Sequence, residues 1–318
     1  MTSSVALQRF LDPKILSRIT DLELLARSVV EGFLGGLHRS PRFGASTDFA
    51  EHRPYMPGDD IRRVDWKVYA RTDRYYVKEF EADTNTDVTI ALDCSRSMRF
   101  AGTRDGVTKL DYGKYLAASL AYLSNRQRDR VGLVAFDEAI IEHVRPSARH
   151  LRVVLHALGR VSPRGEPGSG RAPGSQDGEG RGALDAVFRL LTETIQRRGI
   201  VAVISDFYEE PSAVLSALTH LRGRGNDIIV FHVLDRAERE FPFDQASGFR
   251  DLESGVTIPI VPEAAREQYR RLVEEHIASL SRILADSRID YTLLDTSRPL
   301  DDALFAYLSN RQRLSKVR

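Results

Sequence analysis

The sequence predicts an α/β protein: a doubly wound, mostly parallel sheet with helices on both faces, preceded by an N-terminal helix and a small β-hairpin segment. Two observations lead there. From Val88 onward, short unbroken apolar runs alternate with longer stretches of helical periodicity, the pattern of buried parallel strands joined by crossover helices. The 318 residues are 42% hydrophobic and 29% charged, enough apolar material for a sizeable core in a globular chain.

The elements follow in order. Asp12–Pro13 reads as an N-cap with Pro at the first helical position. Leu22, Leu25, Ala26, Val29 and Phe33 then recur at helical spacing, and Gly35–Gly36 is expected to end that helix. Residues 37–87 are polar and rich in turn signals; short strands or hairpins are expected, with Tyr75, Val77 and Phe80 on one half-buried strand. Strands are then expected at 88–93, 130–136, 139–145, 199–205, 226–235 and 289–295. Helices are expected at 109–124, 147–160, 182–198, 212–221, 263–286 and 300–313. This divides the chain into a β-rich segment with its helix at 1–87 and the α/β domain at 88–318. The domain carries a loop at 162–182 with seven Gly and three Pro, and a small hairpin or irregular insert at 236–262.

Composition excludes several classes of function. The 46 basic and 45 acidic residues leave a net charge of +1 and no basic stripe, which argues against a nucleic-acid binder. A single Cys excludes an internal disulfide and any Cys-based metal cluster within one chain. No apolar run is long enough to span a bilayer, and the first residues lack the features of a signal peptide. The expectation is a soluble, cytoplasmic protein. The eight His are dispersed and read as structural or surface groups.

In doubly wound sheets, ligands sit beyond the carboxyl ends of the strands, so the strand-to-helix turns are where function is sought. The string ALDCSRSM places Asp93, Ser95 and Ser97 just beyond the first strong strand, and VISDF places Asp206 at the end of another. If the two strands are neighbours, these oxygens face one crevice. They are hard donors suited to Mg²⁺ or Mn²⁺ with water completing the shell. The plainer reading makes both Asp residues helix N-caps. Cys94, on the opposite side of the chain from Asp93 and Ser95, is expected to be buried and inert.

The string resembles the metal-ion-dependent adhesion site of von Willebrand factor A domains. That resemblance implies that Asp93, Ser95, Ser97 and Asp206 hold a divalent cation whose open position accepts a partner's carboxylate. It also implies a Thr from a second loop, where this chain has Gly182 and Ala183 in EGRGALDAV. Thr192 and Thr194 lie too far into the following helix, leaving Ser169, Ser175 or Asp177 of the Gly-rich loop as substitutes, or a degenerate site.

The preceding segment resembles the domain-of-unknown-function 58 family. Gly36, His38, Ser40, Arg53, Tyr55, Gly58, Asp59, Asp60, Asp65, Trp66, Ala70 and Arg71 carry the likeness. It implies fusion to a von Willebrand A-like domain and association with a MoxR-type AAA+ ATPase in a chaperone-like maturation system. It does not bring the N-terminal membrane helices that many relatives carry. Read as chemistry, this segment is mainly structural. GDD forms a turn, Asp65 pairs with Arg62 or Arg71, and Trp66 packs between hairpin and sheet.

The expected function is a non-enzymatic protein-interaction module. The alternatives are a metal-free scaffold and a Mg-dependent phosphohydrolase with Asp93 as nucleophile. Against the last, Ser95 stands where a second Asp is wanted, no Lys is placed near a suitable strand end, and no P-loop or Ser–His–Asp set occurs.

Overall fold

A computed structural model describes residues 12–37, 52–55, 66–78, 86–103, 106–162, 181–245, 247–253 and 255–317. The chain divides into two compact units, one comprising the described residues of 1–33 and 86–318, the other those of 34–85.

The larger unit is built on a six-stranded sheet. Its strands are β3 (Asp87–Asp93), β4 (Arg130–Phe136), β5 (Ile140–Ser147), β6 (Gly199–Ser205), β7 (Asp227–Leu234) and β10 (Asp290–Asp295), in the spatial order β10-β7-β6-β3-β4-β5. Every neighbouring pair is parallel except β4 with β5. The mostly parallel sheet read from the apolar runs is therefore what forms. β3 and β6 are buried along their whole length, as strands covered on both faces must be. β5 is the antiparallel edge and tolerates Pro146 for that reason.

Helices cover both faces. α6 (Arg181–Thr194), α7 (Pro211–Gly223) and α9 (Pro262–Asp286) share one core with the sheet, in which Phe188, Leu191, Leu218 and Leu280 meet Ala91, Val134, Val203 and Val230. On the other face lie α4 (Lys109–Arg126), α5 (Leu151–Arg160) and α10 (Asp301–Val317). Gly113 lets α4 come close there: a Cβ would stand 2.9 Å from Leu92 and 3.4 Å from Ile204. The hydroxyls of Ser124 in α4 and Tyr307 in α10 hydrogen-bond at 2.7 Å, both buried. The insert after β7 is a short helix α8 (Arg236–Glu240) and an antiparallel hairpin, β8 (Ser247–Arg250) with β9 (Thr257–Ile260).

Several boundaries differ from expectation. α1 (Pro13–Leu16) is capped by Asp12 as read. α2 (Leu22–Leu37) does not stop at Gly35–Gly36 but continues through them, because two glycines weaken a helix by only about 1 kcal/mol each and supply no stop without a left-handed turn. α5 starts at Leu151 because Ser147 still pairs with Val131 in the sheet. α6 ends at Thr194, leaving four residues to turn the chain into β6.

In the smaller unit β1 (His52–Pro54) pairs antiparallel with β2 (Tyr76–Lys78). Between them WKVYART forms helix α3 (Trp66–Thr72), which the aromatic, β-favouring composition disguised. Trp66 is 55% exposed, its ring edge-on to Tyr69 at 6.1 Å, and Tyr69 stacks on Tyr75 at 4.5 Å. Phe80, His38, Ser40, Gly58, Asp59, Asp60, Arg62, Asp65 and residues 163–180, with Ser169, Ser175 and Asp177, lie outside the described residues.

The close start of β6 against β3 yields a stability test. A Cβ on Gly199 would lie 2.0 Å from the Asp87 carbonyl oxygen, a backbone atom that cannot move aside. Gly199→Ala is expected to lower stability by about 1–3 kcal/mol in denaturant unfolding, whereas Gly159→Ala, with open space around it, should not.

Candidate functional site

The chain runs from β3 to β4 and β5 on one side, then returns to place β6, β7 and β10 on the other. Strand order therefore reverses at β3, and the crevice beyond its carboxyl end is where such sheets hold ligands. The register pairs Leu92 with Ile204, so Asp93 ends level with Ser205, and Asp206 follows one residue beyond.

The turn after Asp93 is fixed from both sides. Cys94 and Met98 are fully buried and anchor it to the core. The Cys94 N–H donates to the Phe136 carbonyl at 2.7 Å, and a 3₁₀ turn follows over Ser97–Arg99. Ser95 and Ser97, alternating with those anchors, face the crevice, and their Oγ atoms lie 3.0 Å apart. The Ser95 N–H donates to Asp93 Oδ1 at 2.8 Å, and Ser205 Oγ donates to Asp93 Oδ2 at 2.5 Å. Cys94 is buried as its alternation predicted, and burial pushes its thiol up to about 12.

Asp206 is aimed by the residue after it. Phe207 adopts a left-handed φ of 40° and is fully buried, a conformation that costs a non-glycine residue roughly 1–2 kcal/mol. Its N–H donates to Ser205 Oγ at 3.2 Å, and its carbonyl accepts from His276 Nε2 at 2.8 Å. The turn sends the Phe207 ring into the core and leaves the Asp206 carboxylate in the crevice.

There it meets a residue the sequence reading missed. Lys109, wholly buried, donates from Nζ to Asp206 Oδ2 at 2.7 Å, to Glu238 Oε1 at 2.7 Å and to Tyr208 Oη at 3.1 Å. This corrects the expectation that no Lys lies near a suitable strand end. Lys109 opens α4, where Thr108 Oγ1 caps the helix by accepting from the Asp111 N–H. Glu238 is supplied by the α8 capping box: its Oε2 accepts from the Asp235 N–H at 2.8 Å, and Tyr208 Oη donates to its Oε1. Burial pulls the Lys109 ammonium down, but Asp206 and Glu238 overcome it and hold its pKa above the ordinary value. The ammonium stays charged between two carboxylates.

Among the described residues Asp93 has no such cation. Burial, with the negative charge of Asp206 second, pushes its carboxyl up to about 7 against the bonds from Ser205 and Ser95. A hard divalent cation fits that deficit. The two hydroxyls hydrogen-bond to each other at 3.0 Å, a separation that also matches the edge of an octahedron with metal–oxygen bonds of about 2.1 Å. Among the described residues no group of three His, Cys, Asp or Glu gathers in metal-holding geometry, so serine hydroxyls would have to take part. Asp93, Ser95 and Ser97 are the residues that would hold the ion. Thr192 Oγ1 donates to the Phe188 carbonyl within α6.

A final carboxylate comes from the hairpin. Glu253 Oε1 accepts from the Ser97 N–H at 2.6 Å. Asp137, directly after β4, acts on Glu253 as a like charge. The signals for Asp137 and Ser205 were present in the sequence, as polar residues at strand ends; Glu253 had none. His232, buried on β7 with Nδ1 2.7 Å from Tyr291 Oη, is pulled down to about 3 by burial and is a neutral structural group.

Two outcomes follow. Because the folded Asp93 keeps its proton to about pH 7, its contribution to stability without added metal is full below about pH 4 and is lost as pH rises through 7, on the order of 1 kcal/mol per pH unit. Asp93→Asn should flatten that fall in thermal unfolding between about pH 4 and 7. Lys109→Met strands Asp206 and Glu238 and should cost about 3–5 kcal/mol in denaturant unfolding, with Asp206→Asn in the same chain returning part of it.

The family described as "Protein of unknown function DUF58" matches residues 51–279. An uncharacterized protein of Mycobacterium tuberculosis and another of Mycobacterium bovis are each 28% identical over 305 residues, 95% of this chain and 91% of theirs. Among solved structures, the conserved hypothetical protein BatB of Bacteroides thetaiotaomicron aligns with a TM-score of 0.47 at 18% identity, over 73% of this chain and 99% of its own. The SpRpn10 VWA domain aligns with a TM-score of 0.36 at 11% identity, over 70% and 94%. With well over half its length matched by the family, the chain belongs to DUF58.

Proposed function

We propose that the chain is a non-enzymatic protein-interaction module that binds an acidic side chain of a partner at the carboxyl end of β3. Asp93, Ser95 and Ser97 hold Mg²⁺ or Mn²⁺, and Asp206 reaches the same ion through water. The single observation behind this reading is the pair of hydrogen-bonded serine hydroxyls, 3.0 Å apart, beside a buried carboxyl group that no cation meets among the described residues. The ion supplies charge compensation and a coordination position for a carboxylate; the chain's part is to fix three oxygens and to hold Asp206 in place through Lys109. A charge-assisted contact of this kind is directional enough for one partner residue to dominate the interface. The family resemblance directs the partner to a MoxR-type AAA+ ATPase in a chaperone-like maturation system.

A hydrolytic role for Asp93 has less support. Both its oxygens already accept hydrogen bonds, from the Ser95 N–H and from Ser205 Oγ. Lys109 is held by two carboxylates and is not free to act as a base. A metal-free scaffold is favoured by one specific contact, the Lys109–Asp206 pair, because an ammonium already neutralises the carboxylate that a cation would share.

Calorimetric titration with Mg²⁺ and Mn²⁺ separates these readings. The wild-type chain should bind one ion and gain about 2.7 kcal/mol of stability at a hundredfold excess over Kd, and Asp93→Ala should abolish both. Co-purification of a MoxR-type ATPase should be lost in the same variant. Absence of binding heat with retained co-purification would establish the metal-free scaffold instead.

A further inference from the structure

The tip of the β8–β9 hairpin places Glu253 against the loop that carries Ser95 and Ser97. Two contacts hold it: Glu253 Oε1 accepts from the Ser97 N–H at 2.6 Å, and Arg96 Nη1 donates to the Glu253 carbonyl at 3.2 Å. The tip is shaped to present this side chain. The Glu253 N–H donates to Asp251 Oδ1 at 3.0 Å, and the Asp251 N–H to the Val256 carbonyl at 2.9 Å. Gly255, at φ 74°, returns its N–H to the Asp251 carbonyl at 2.9 Å. A positive φ there suits glycine.

From these contacts we infer that Glu253 is an internal ligand of the site. Its carboxylate takes the coordination position a partner's acidic side chain would use, and a partner gains access when the hairpin tip lifts. The inference rests on the proposed cation reading and names the group that competes with the partner.

Two further observations support it. Glu253 is exposed to solvent on its outer side, as a replaceable ligand must be. The hairpin is also lightly attached. Val256 and Ile258 are 56% and 55% exposed, and its aromatic contacts come from one strand residue, Phe249, which stacks on Phe241 at 5.3 Å and meets Phe243 edge-on at 5.1 Å. Lifting the tip therefore gives up little buried apolar area, the dominant cost of opening a segment.

Mn²⁺ alone tests this in the full chain, read by the relaxation of water protons, which counts exchangeable waters on the bound ion. Glu253→Ala and Glu253→Gln should each raise the relaxivity of the Mn²⁺ complex by about one water's share of the several that a hard cation keeps. Added acetate, standing in for a partner carboxylate, should lower relaxivity in both variants and leave the wild-type chain unchanged. Equal relaxivity and equal acetate response in all three chains would overturn the internal-ligand assignment while leaving the cation site intact. Absence of bound Mn²⁺ from all three would overturn the cation reading and this inference with it. Hydrogen exchange over β3, β6 and α4 checks that each variant keeps its fold.

Discussion

Everything at this site depends on the parallel, in-register pairing of β3 with β6. Leu92 opposite Ile204 sets the level at which the two chains leave the sheet. A shift of one residue would turn Asp93 or Ser205 to the opposite face and break the 2.5 Å bond between them. The pairing is secured by burial: both strands are covered along their length, and α4 sits close enough that Gly113 touches both Leu92 and Ile204. Packing thus fixes the register, and the register fixes which oxygens meet. The fold provides a place where two chains end side by side, and the few polar residues just beyond determine the chemistry.

Those polar residues create an electrostatic problem that the chain solves only in part. Two buried carboxylates, Asp93 and Asp206, oppose one another across the crevice. Lys109 compensates Asp206 and shares its charge with Glu238, an arrangement in which removal of one partner costs far more than the intact cluster contributes. Among the described residues Asp93 is left with hydrogen bonds but no opposite charge. A site built this way is partly satisfied, and low local dielectric makes the remaining deficit strong. That asymmetry between the two carboxylates is the feature on which the proposed cation at Asp93 rests, with Lys109 hydrogen-bonded to Asp206 beside it.

Much of this was legible in the sequence. Strand-end positions of Asp93 and Asp206 could be read because unbroken apolar runs mark buried parallel strands, and their side-by-side placement follows once the strand order reverses at β3. Ser95 and Ser97 could be read because alternation separates them from Cys94 and Met98. Lys109 was missed although its position after Thr108 is a recognisable helix start; a lysine at the first turn of a helix normally faces solvent, and only the tertiary approach of Asp206 and Glu238 draws this one inward. Glu253 gave no signal at all, since its contact with Ser97 spans 156 residues of sequence. α3 was hidden by Trp66, Val68 and Tyr69, whose strand preference is overridden locally. The continuation of α2 through Gly35 and Gly36 shows the same limit: propensity sets a modest cost, and context decides whether it is met.

The most direct measurement is anomalous diffraction from crystals of the full chain grown with Mn²⁺. The account predicts one peak about 2 Å from oxygens of Asp93, Ser95 and Ser97, with the Lys109–Asp206 pair still in place. A crystal with no peak there, or with the ion held by a different set of residues, would contradict it.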